Sequence, residues 1–337
     1  MMLKIAINGF GRIGRPVFRR ILERHKNLKI VAINDLTDTR TLAHLLKYDS
    51  LYGMYDKKVG FKEKSLSVNG DEFLVFAETD PSKLPWKKLG VDIVLESTGY
   101  FTEIEGAKKH LEAGAKKVII SAPSKSKEIP TFILGVNEEK YDPKKDDVIS
   151  NSSCTTNCLA PIVKVLHQSY GIESGFMTTA HSYTNDQKIL DLPHKDLRRA
   201  RAATLSIIPT TTGAAKSIGR VIPELEGKLN GIALRVPTPV VSSLDFVCKV
   251  KNPPASAEDV NYLFKKVSTQ ERFRNILGIE DAELVSVDYR GNSFSAIVDA
   301  NLTMVIKDLV KVTAWYDNEW GYACRLADMA EYVGQYL

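Results

Sequence analysis

The chain has 337 residues, enough to bury two sizeable cores, and its 46 Lys+Arg against 41 Asp+Glu leave a net charge of +5 with no long single-sign run. That balance suits a protein handling anionic small molecules and disfavours nucleic acid as primary partner, which would call for a concentrated basic stripe. Four sparse, irregularly spaced cysteines (Cys154, Cys158, Cys248 and Cys324), a start without a leader-like pattern and the lack of any membrane-length apolar run argue against a disulfide scaffold and a membrane partner; the expectation is a reduced, cytoplasmic protein.

The apolar run Lys4 to Ile7 predicts a strand, NGFGRIG a tight turn, and RPVFRRILERH a helix with Val17, Phe18, Ile21 and Leu22 at helical spacing. Gly9, Gly11 and Gly14 fit a dinucleotide-binding turn: the first permits the bend, the second lets a pyrophosphate approach the backbone, and the third lets helix and strand pack closely. Free N–H groups at the helix start would face the anion. A second strand, LKIVAIND, ends at Asp35, 21 residues past Gly14. A carboxylate there either accepts from an adenosine ribose, disfavouring a 2′-phosphate and so favouring NAD over NADP, or simply ends a strand. FLVFA, VDIVLEST, KKVIISAP, PTFILGV and DDVIS read as further strands, with a helix over EIEGAKKHLEAGA, an alternation that implies a mostly parallel sheet covered on both faces. Thr98, Gly99 and Ser121 fall at strand ends, where they either line a cofactor or form ordinary turns.

SNSSCTTNCLAP then puts Cys154 at the mouth of a helix-like run, where the dipole and unpaired N–H groups favour a thiolate; the competing reading is a small buried apolar residue. Ser153, Thr155 and Thr156 can cap that helix or bind an anion. Among six histidines, His181 stands apart: it closes the strand-like GFMTTA, 27 residues after Cys154, beside the polar SYTNDQ, and is the candidate base. Arg198, Arg199 and Arg201 read by themselves as a solvated charge cluster.

SNSSCTTNCLAP, TTAHSYTNDQ, DLRRARAA, IIPTTTGAAK, LRVPTP and WYDNEWGY, with the NGFGRIGR start, occur in the order and at the intervals of phosphorylating glyceraldehyde-3-phosphate dehydrogenases, and the chain resembles that family over essentially its whole length. The resemblance implies that Cys154 is the nucleophile, forming a thiohemiacetal and then a thioester, and that His181 is its base. It implies anion contacts from Thr184, Arg199 and Arg235 and a second anion pocket from Ser153, Thr155, Thr212 and Gly213, for glyceraldehyde 3-phosphate and inorganic phosphate. NAD would be held by Gly9, Gly11, Arg12, Ile13, Gly14, Asp35, Thr98, Gly99, Ser121 and Asn318. No metal is implied. Residues 182–206 resemble a loop that reaches a neighbouring subunit in a homotetramer, and Leu192-Pro193 matches NAD-preferring members. Thr79, where many relatives carry an arginine, and Val240, where a polar or small residue is usual, depart from the pattern.

The expected architecture is α/β: a Rossmann-type, doubly wound, mostly parallel sheet over residues 1–153, an α+β catalytic domain on a mostly antiparallel sheet over 154–318, and a C-terminal helix over 319–337, amphipathic over 323–337, returning to the first domain. Lys251 to Gly278 reads as variable surface helix and loop. Two alternatives stand beside the dehydrogenase reading. One is an erythrose-4-phosphate dehydrogenase, against which TTTGAAK keeps a complete-looking phosphate pocket; the other is a non-catalytic adhesion or RNA-binding protein, which would need neither Cys154 nor His181.

Overall fold

The computed structural model describes residues 2–337, which form two compact units: residues 2–132 with Glu139–Ser152 and Ala323–Leu337, and Ile133–Glu138 with Ser153–Tyr322.

The first unit opens with β1 (Leu3–Asn8), α1 (Gly14–Arg24), β2 (Leu28–Asn34), α2 (Thr39–Lys47) and a short β3 (Tyr48–Asp49) and β4 (Gly53–Met54) pair. There follow β5 (Val59–Lys62), β6 (Ser65–Val68), β7 (Asp71–Phe76), α3 (Trp86–Leu89), β8 (Ile93–Glu96), α4 (Ile104–Glu112), β9 (Lys117–Ile120) and β10 (Val148–Ser150). The sheet order is β10-β9-β8-β1-β2-β7-β6-β5, parallel from β10 to β7 and closed at one edge by antiparallel β6 and β5. Strands β8 and β9 are buried along their whole length, which is why they read as unbroken apolar runs rather than as alternation. Because β2 and β8 lie on opposite sides of β1, the chain winds away in both directions from β1 and opens a crevice at its carboxyl end.

PTFILGV is not a strand. Only Thr131 bridges Ser150; Pro130 lacks a donor, Gly135 turns at φ 82°, and Asn137 Oδ1 accepts from the Ile133 N–H to close a loop.

The second unit begins with α5 (Cys154–Tyr170) and β11 (Ile172–Ser182), followed after a long segment by β12 (Ile208–Thr211), α6 (Ala214–Val221), β13 (Leu229–Val236) and β14 (Ser242–Val250). It continues through α7 (Ala257–Ser268), β15 (Leu277–Glu280), β16 (Ala296–Asp299), β17 (Met304–Ile306) and β18 (Leu309–Tyr316). The order β12-β13-β11-β14-β18-β16-β15 is mostly antiparallel, with parallel pairs only at β11/β13 and β15/β16. Burial alternates residue by residue along β14. Its inward Leu244, Phe246, Cys248 and Val250 join Leu159, Ile162, Val163 and Leu166 of α5 in one core, each large side chain contributing about 1.5–3 kcal/mol of burial.

The surface reading of 251–278 needs narrowing. Val260 and Phe264 of α7 are fully buried in that core, and Phe273 and Leu277 follow them in, so the segment is surface on one side only.

The last helix, α8 (Trp320–Gly334), is not amphipathic in its first turns: Ala323 through Ala327 are all buried. Its buried Arg325 pairs with Asp328 at 2.6 Å. Within the first unit, His25 lies 3.2 Å from Asp328 and 2.9 Å from Glu331. Burial disfavours the charged imidazole, but the two carboxylates outweigh it and raise its pKa.

Candidate active site

The crevice at the end of β1 is a cavity of about 490 Å³ lined by Asn8, Gly9 and Gly11 from the first turn, Asn34, Asp35 and Leu36 after β2, Glu78 and Thr79, and Ser97, Thr98, Tyr100 and Phe101 after β8. Its floor depends on two glycines. Gly9 adopts φ 91°, and a Cβ there would stand 2.7 Å from the Thr98 nitrogen; a Cβ on Gly14 would overlap the Gly9 carbonyl. Above Gly11 there is open space, as a pyrophosphate over this turn would require.

Asp35 holds its carboxylate at the lip by accepting from the Phe10 N–H at 2.8 Å and the Thr37 N–H at 3.0 Å. Thr98 takes the Tyr100 N–H on its hydroxyl, shaping the turn in which Gly99 sits at φ 76°. Open backbone over Gly11, a helix start and a carboxylate on the cavity wall fit NAD. Thr79 lies on this wall, so the departure from the arginine of many relatives borders the cavity with an uncharged side chain.

Other positions read as cofactor contacts lie outside that cavity's lining. Arg12 is tied to Asp49 at 2.7 Å and lies 5.7 Å from the centre of the Tyr52 ring. Ile13 and Gly14 open α1, and Ser121 donates its N–H to the Glu96 carbonyl. Asn318, in the second unit, is buried and accepts from the Ser242 hydroxyl at 3.1 Å, an arrangement that commits its oxygen and not its N–H₂ group.

In the second unit, Cys154 is the first residue of α5 and Ser153 its N-cap, the hydroxyl accepting from the Thr156 N–H at 3.1 Å. The preceding Ser152 takes φ 57°, bending the chain so that the thiol emerges at the helix end. Cys154 Sγ lies 3.5 Å from His181 Nε2. His181 is the penultimate residue of β11, and its Nδ1 sits 2.7 Å from the Ser182 carbonyl. The Arg235 guanidinium, which can only donate, lies 3.1 Å from the same nitrogen, but the nearer partner is a carbonyl, which can only accept; Nδ1 therefore carries the proton and Nε2 presents a lone pair to the thiol.

Burial pushes the thiol of Cys154 up, against the pull of the Arg235 guanidinium and the Thr155 hydroxyl, and pushes His181 down to about 4, with Arg235 adding to the effect. Burial thus opposes the thiolate that the helix start favours, and His181 Nε2 is the group within reach of the Sγ proton.

Arg235 packs beneath His181, donating to the Thr184 hydroxyl at 2.9 Å and the Ser182 carbonyl at 3.1 Å. Arg199 donates to Thr210 Oγ1 at 2.6 Å and pairs with Asp186. The arginine is thus structured, not part of a loose solvated cluster. Sequence reasoning passed over Asp186, whose carboxylate also accepts from the Thr184 hydroxyl. Burial would push Asp186 up, but Thr184, Arg235 and Arg199 together hold it below its ordinary value. The signal was available: an acid two residues after Thr184, in a segment read as anion-binding.

The second anion group is less convergent than expected. Ser153 is engaged in its helix cap. The Thr155 hydroxyl is committed to a buried chain in which it lies 3.0 Å from Tyr316 OH, which lies 2.9 Å from Thr179 Oγ1, which in turn donates to the Ser243 carbonyl. Thr155 thus has less to offer an anion than its type suggested. Thr212 and Gly213 stand at the start of α6, Thr212 accepting from the Ala214 N–H; they make no hydrogen bond to the Cys154, His181 and Arg235 group among the described residues. Val240 is buried, and Val241 after it is held at φ 67°, a strained conformation for a branched residue, with its carbonyl accepting from Ser182 Oγ at 2.7 Å.

Two family models match the chain: "glyceraldehyde 3-phosphate dehydrogenase, NAD binding domain" over residues 3–104 and "glyceraldehyde 3-phosphate dehydrogenase, C-terminal domain" over residues 153–318. Proteins named glyceraldehyde-3-phosphate dehydrogenase are similar over almost the full length. That of Geobacillus stearothermophilus is 58% identical across 99% of this chain and 98% of its own. Glyceraldehyde-3-phosphate dehydrogenase 1 of Bacillus subtilis is 56% identical across 99% of both chains, and the Borreliella burgdorferi protein 54% identical across 98% and 99%.

Proposed function

The chain belongs to the glyceraldehyde-3-phosphate dehydrogenase family, and from that premise we propose how its own residues carry the reaction. The activity is that of a glycolytic, NAD-dependent oxidoreductase acting on glyceraldehyde 3-phosphate. The observation that carries the mechanism is the 3.5 Å approach of Cys154 Sγ to His181 Nε2 at the start of α5.

Cys154 attacks the aldehyde carbon as its proton passes to Nε2; His181 returns that proton to the former carbonyl oxygen, giving a thiohemiacetal. NAD, when bound, supplies the acceptor for the hydride that leaves this carbon. His181 takes the hydroxyl proton back in the same step, and the product on Cys154 is a thioester, which keeps the oxidation energy that a free acid would lose. A phosphate oxygen then attacks the thioester carbon, the sulfur leaves, and 1,3-bisphosphoglycerate departs. Arg199, Arg235 and Thr184 would hold one phosphate, and the backbone at Thr212 and Gly213 with Ser153 and Thr155 the other. Gly9, Gly11, Arg12, Ile13, Gly14, Asp35, Thr98, Gly99, Ser121 and Asn318 would hold NAD, with Asp35 and Leu192-Pro193 giving a site that disfavours a 2′-phosphate.

The reading extends to a cytoplasmic homotetramer. Supporting it, the segment 183–207 exposes Ile189, Leu190, Leu192, Leu197 and Leu205, an apolar surface of the kind a second copy covers.

Steady-state reduction of NAD, followed by absorbance, tests the mechanism. Turnover with glyceraldehyde 3-phosphate should need inorganic phosphate or arsenate; equal rates without either would rule out phosphorolysis of a thioester, and faster turnover on erythrose 4-phosphate would reassign the substrate.

A further inference from the structure

Beneath the cofactor crevice lie two buried polar side chains that the mechanism does not use. Glu96, the last residue of β8, is fully enclosed, as is His110 of α4. Four donors converge on the Glu96 carboxylate: the Asn8 amide at 2.5 Å, His110 Nε2 at 3.1 Å, and both the N–H (2.8 Å) and the hydroxyl of Thr98. A carboxylate offers about four lone-pair positions, so these donors saturate it.

The orientation of His110 is determined from behind. Trp86 Nε1 lies 3.1 Å from His110 Nδ1, and an indole can only donate; Nδ1 is therefore the acceptor and Nε2 carries the proton that reaches Glu96. From the carboxylate the network runs outward to the crevice. Asn8, fixed by Glu96, accepts on its oxygen from the Asn34 amide at 2.7 Å. Asn34 in turn brackets Glu78, donating to its carbonyl and accepting from its N–H, both at 2.9 Å. Asn8, Asn34, Glu78 and Thr98 all line the cavity, and they come from the ends of β1, β2 and β8 and from the loop after β7.

We propose that Glu96, oriented by His110 and Trp86, is the positioning residue of the NAD cleft: one buried carboxylate that ties four walls of the cavity into a single geometry before the cofactor arrives. The inference rests on the family reading of that cleft. Its physical content is preorganisation. Walls already held together lose little freedom on binding, whereas loosened walls must be ordered at the ligand's expense. Glu96 touches no reacting atom and acts through Asn8 and Thr98.

The test is calorimetric titration of the intact protein with NAD, run beside thermal unfolding and steady-state kinetics. His110→Phe keeps a ring but removes the proton given to Glu96; His110→Gln can restore a donor near the same place. A positioning role predicts that His110→Phe raises the NAD dissociation constant about tenfold, in line with loss of a hydrogen bond to a charged group. His110→Gln should stay within about threefold of the unchanged protein. Glu96→Gln, which sets a donor among donors, should lose at least as much as His110→Phe. The losses should fall mainly on KM for NAD rather than kcat, with the alkylation rate of Cys154 unmoved.

A packing role alone predicts the reverse order, with Phe tolerated better than Gln; that result, or folded Glu96→Gln binding NAD as tightly as the unchanged protein, overturns the proposal. If Glu96→Gln does not fold, the two His110 variants decide. Failure of the unchanged protein to bind NAD would instead overturn the reading of the cleft itself, and this inference with it.

Discussion

In the cofactor cleft of the first unit, buried polar groups are at peace: Glu96 has its four donors, Asp35 is held by two N–H groups, and Asn34 spans a loop on both sides. Around Cys154 in the second unit, buried groups are at odds. The thiol is pushed up, the imidazole down to about 4, and Arg235 is crowded enough that burial lowers its own pKa. A platform for a ligand gains from being finished in advance, since nothing then reorganises on binding. A reacting pair gains from being unfinished, since the substrate and the proton transfer complete its partners. The same low-dielectric burial serves both ends, rigidity where partners are complete and reactivity where they are not.

The contrast breaks most visibly at His181. His181→Asn leaves the thiol facing burial without a proton acceptor, so aldehyde oxidation should fall by about 10²–10⁴-fold, roughly 3–5 kcal/mol in the barrier. The pH profile sharpens the point. With His181 present, deprotonation of Cys154 belongs to the pair; without it, the upward push of burial is opposed only by Arg235 and Thr155, and the midpoint of alkylation rate against pH should move to higher pH. A profile that stays in place would mean that the two groups are not coupled.

In the finished cleft a single replacement should do less. Asp35→Ala removes the carboxylate that would meet a 2′-phosphate, and the ratio of catalytic efficiencies for NAD over NADP should shrink by about tenfold, with kcat for NAD changed far less. An unchanged ratio would show that selectivity is set elsewhere, with Leu192-Pro193 the next position to examine.

How much of this could be read in the chain follows the distance between partners. Gly9 and Gly14 meet across a five-residue turn, Cys154 and its cap Ser153 are adjacent, and an isolated histidine at a strand end is conspicuous; all are local patterns. Glu96 was hidden because Asn8 lies 88 residues away, and the commitment of Thr155 because Tyr316 lies 161 residues away. Yet Glu96 left a trace, an acid inside the apolar run VDIVLEST, where a buried charge needs partners. PTFILGV misled for the opposite reason: its composition suits a strand, but Pro130 and Gly135 deny it the ladder. Over 251–278, polar residues on one face of α7 masked Val260 and Phe264 on the other.

The central claim, that Cys154 is the reacting sulfur, is tested most directly by mapping the sites of brief iodoacetamide treatment at neutral pH against residual activity. Cys158 is the internal control: it is one turn farther along α5, fully enclosed, and burial raises its thiol well above the ordinary range, while Cys248 is pushed up to about 12. The account predicts label on Cys154 alone among the four cysteines, with activity lost in proportion and NAD binding retained. Label spread evenly over the four, or activity surviving full modification of Cys154, would contradict it.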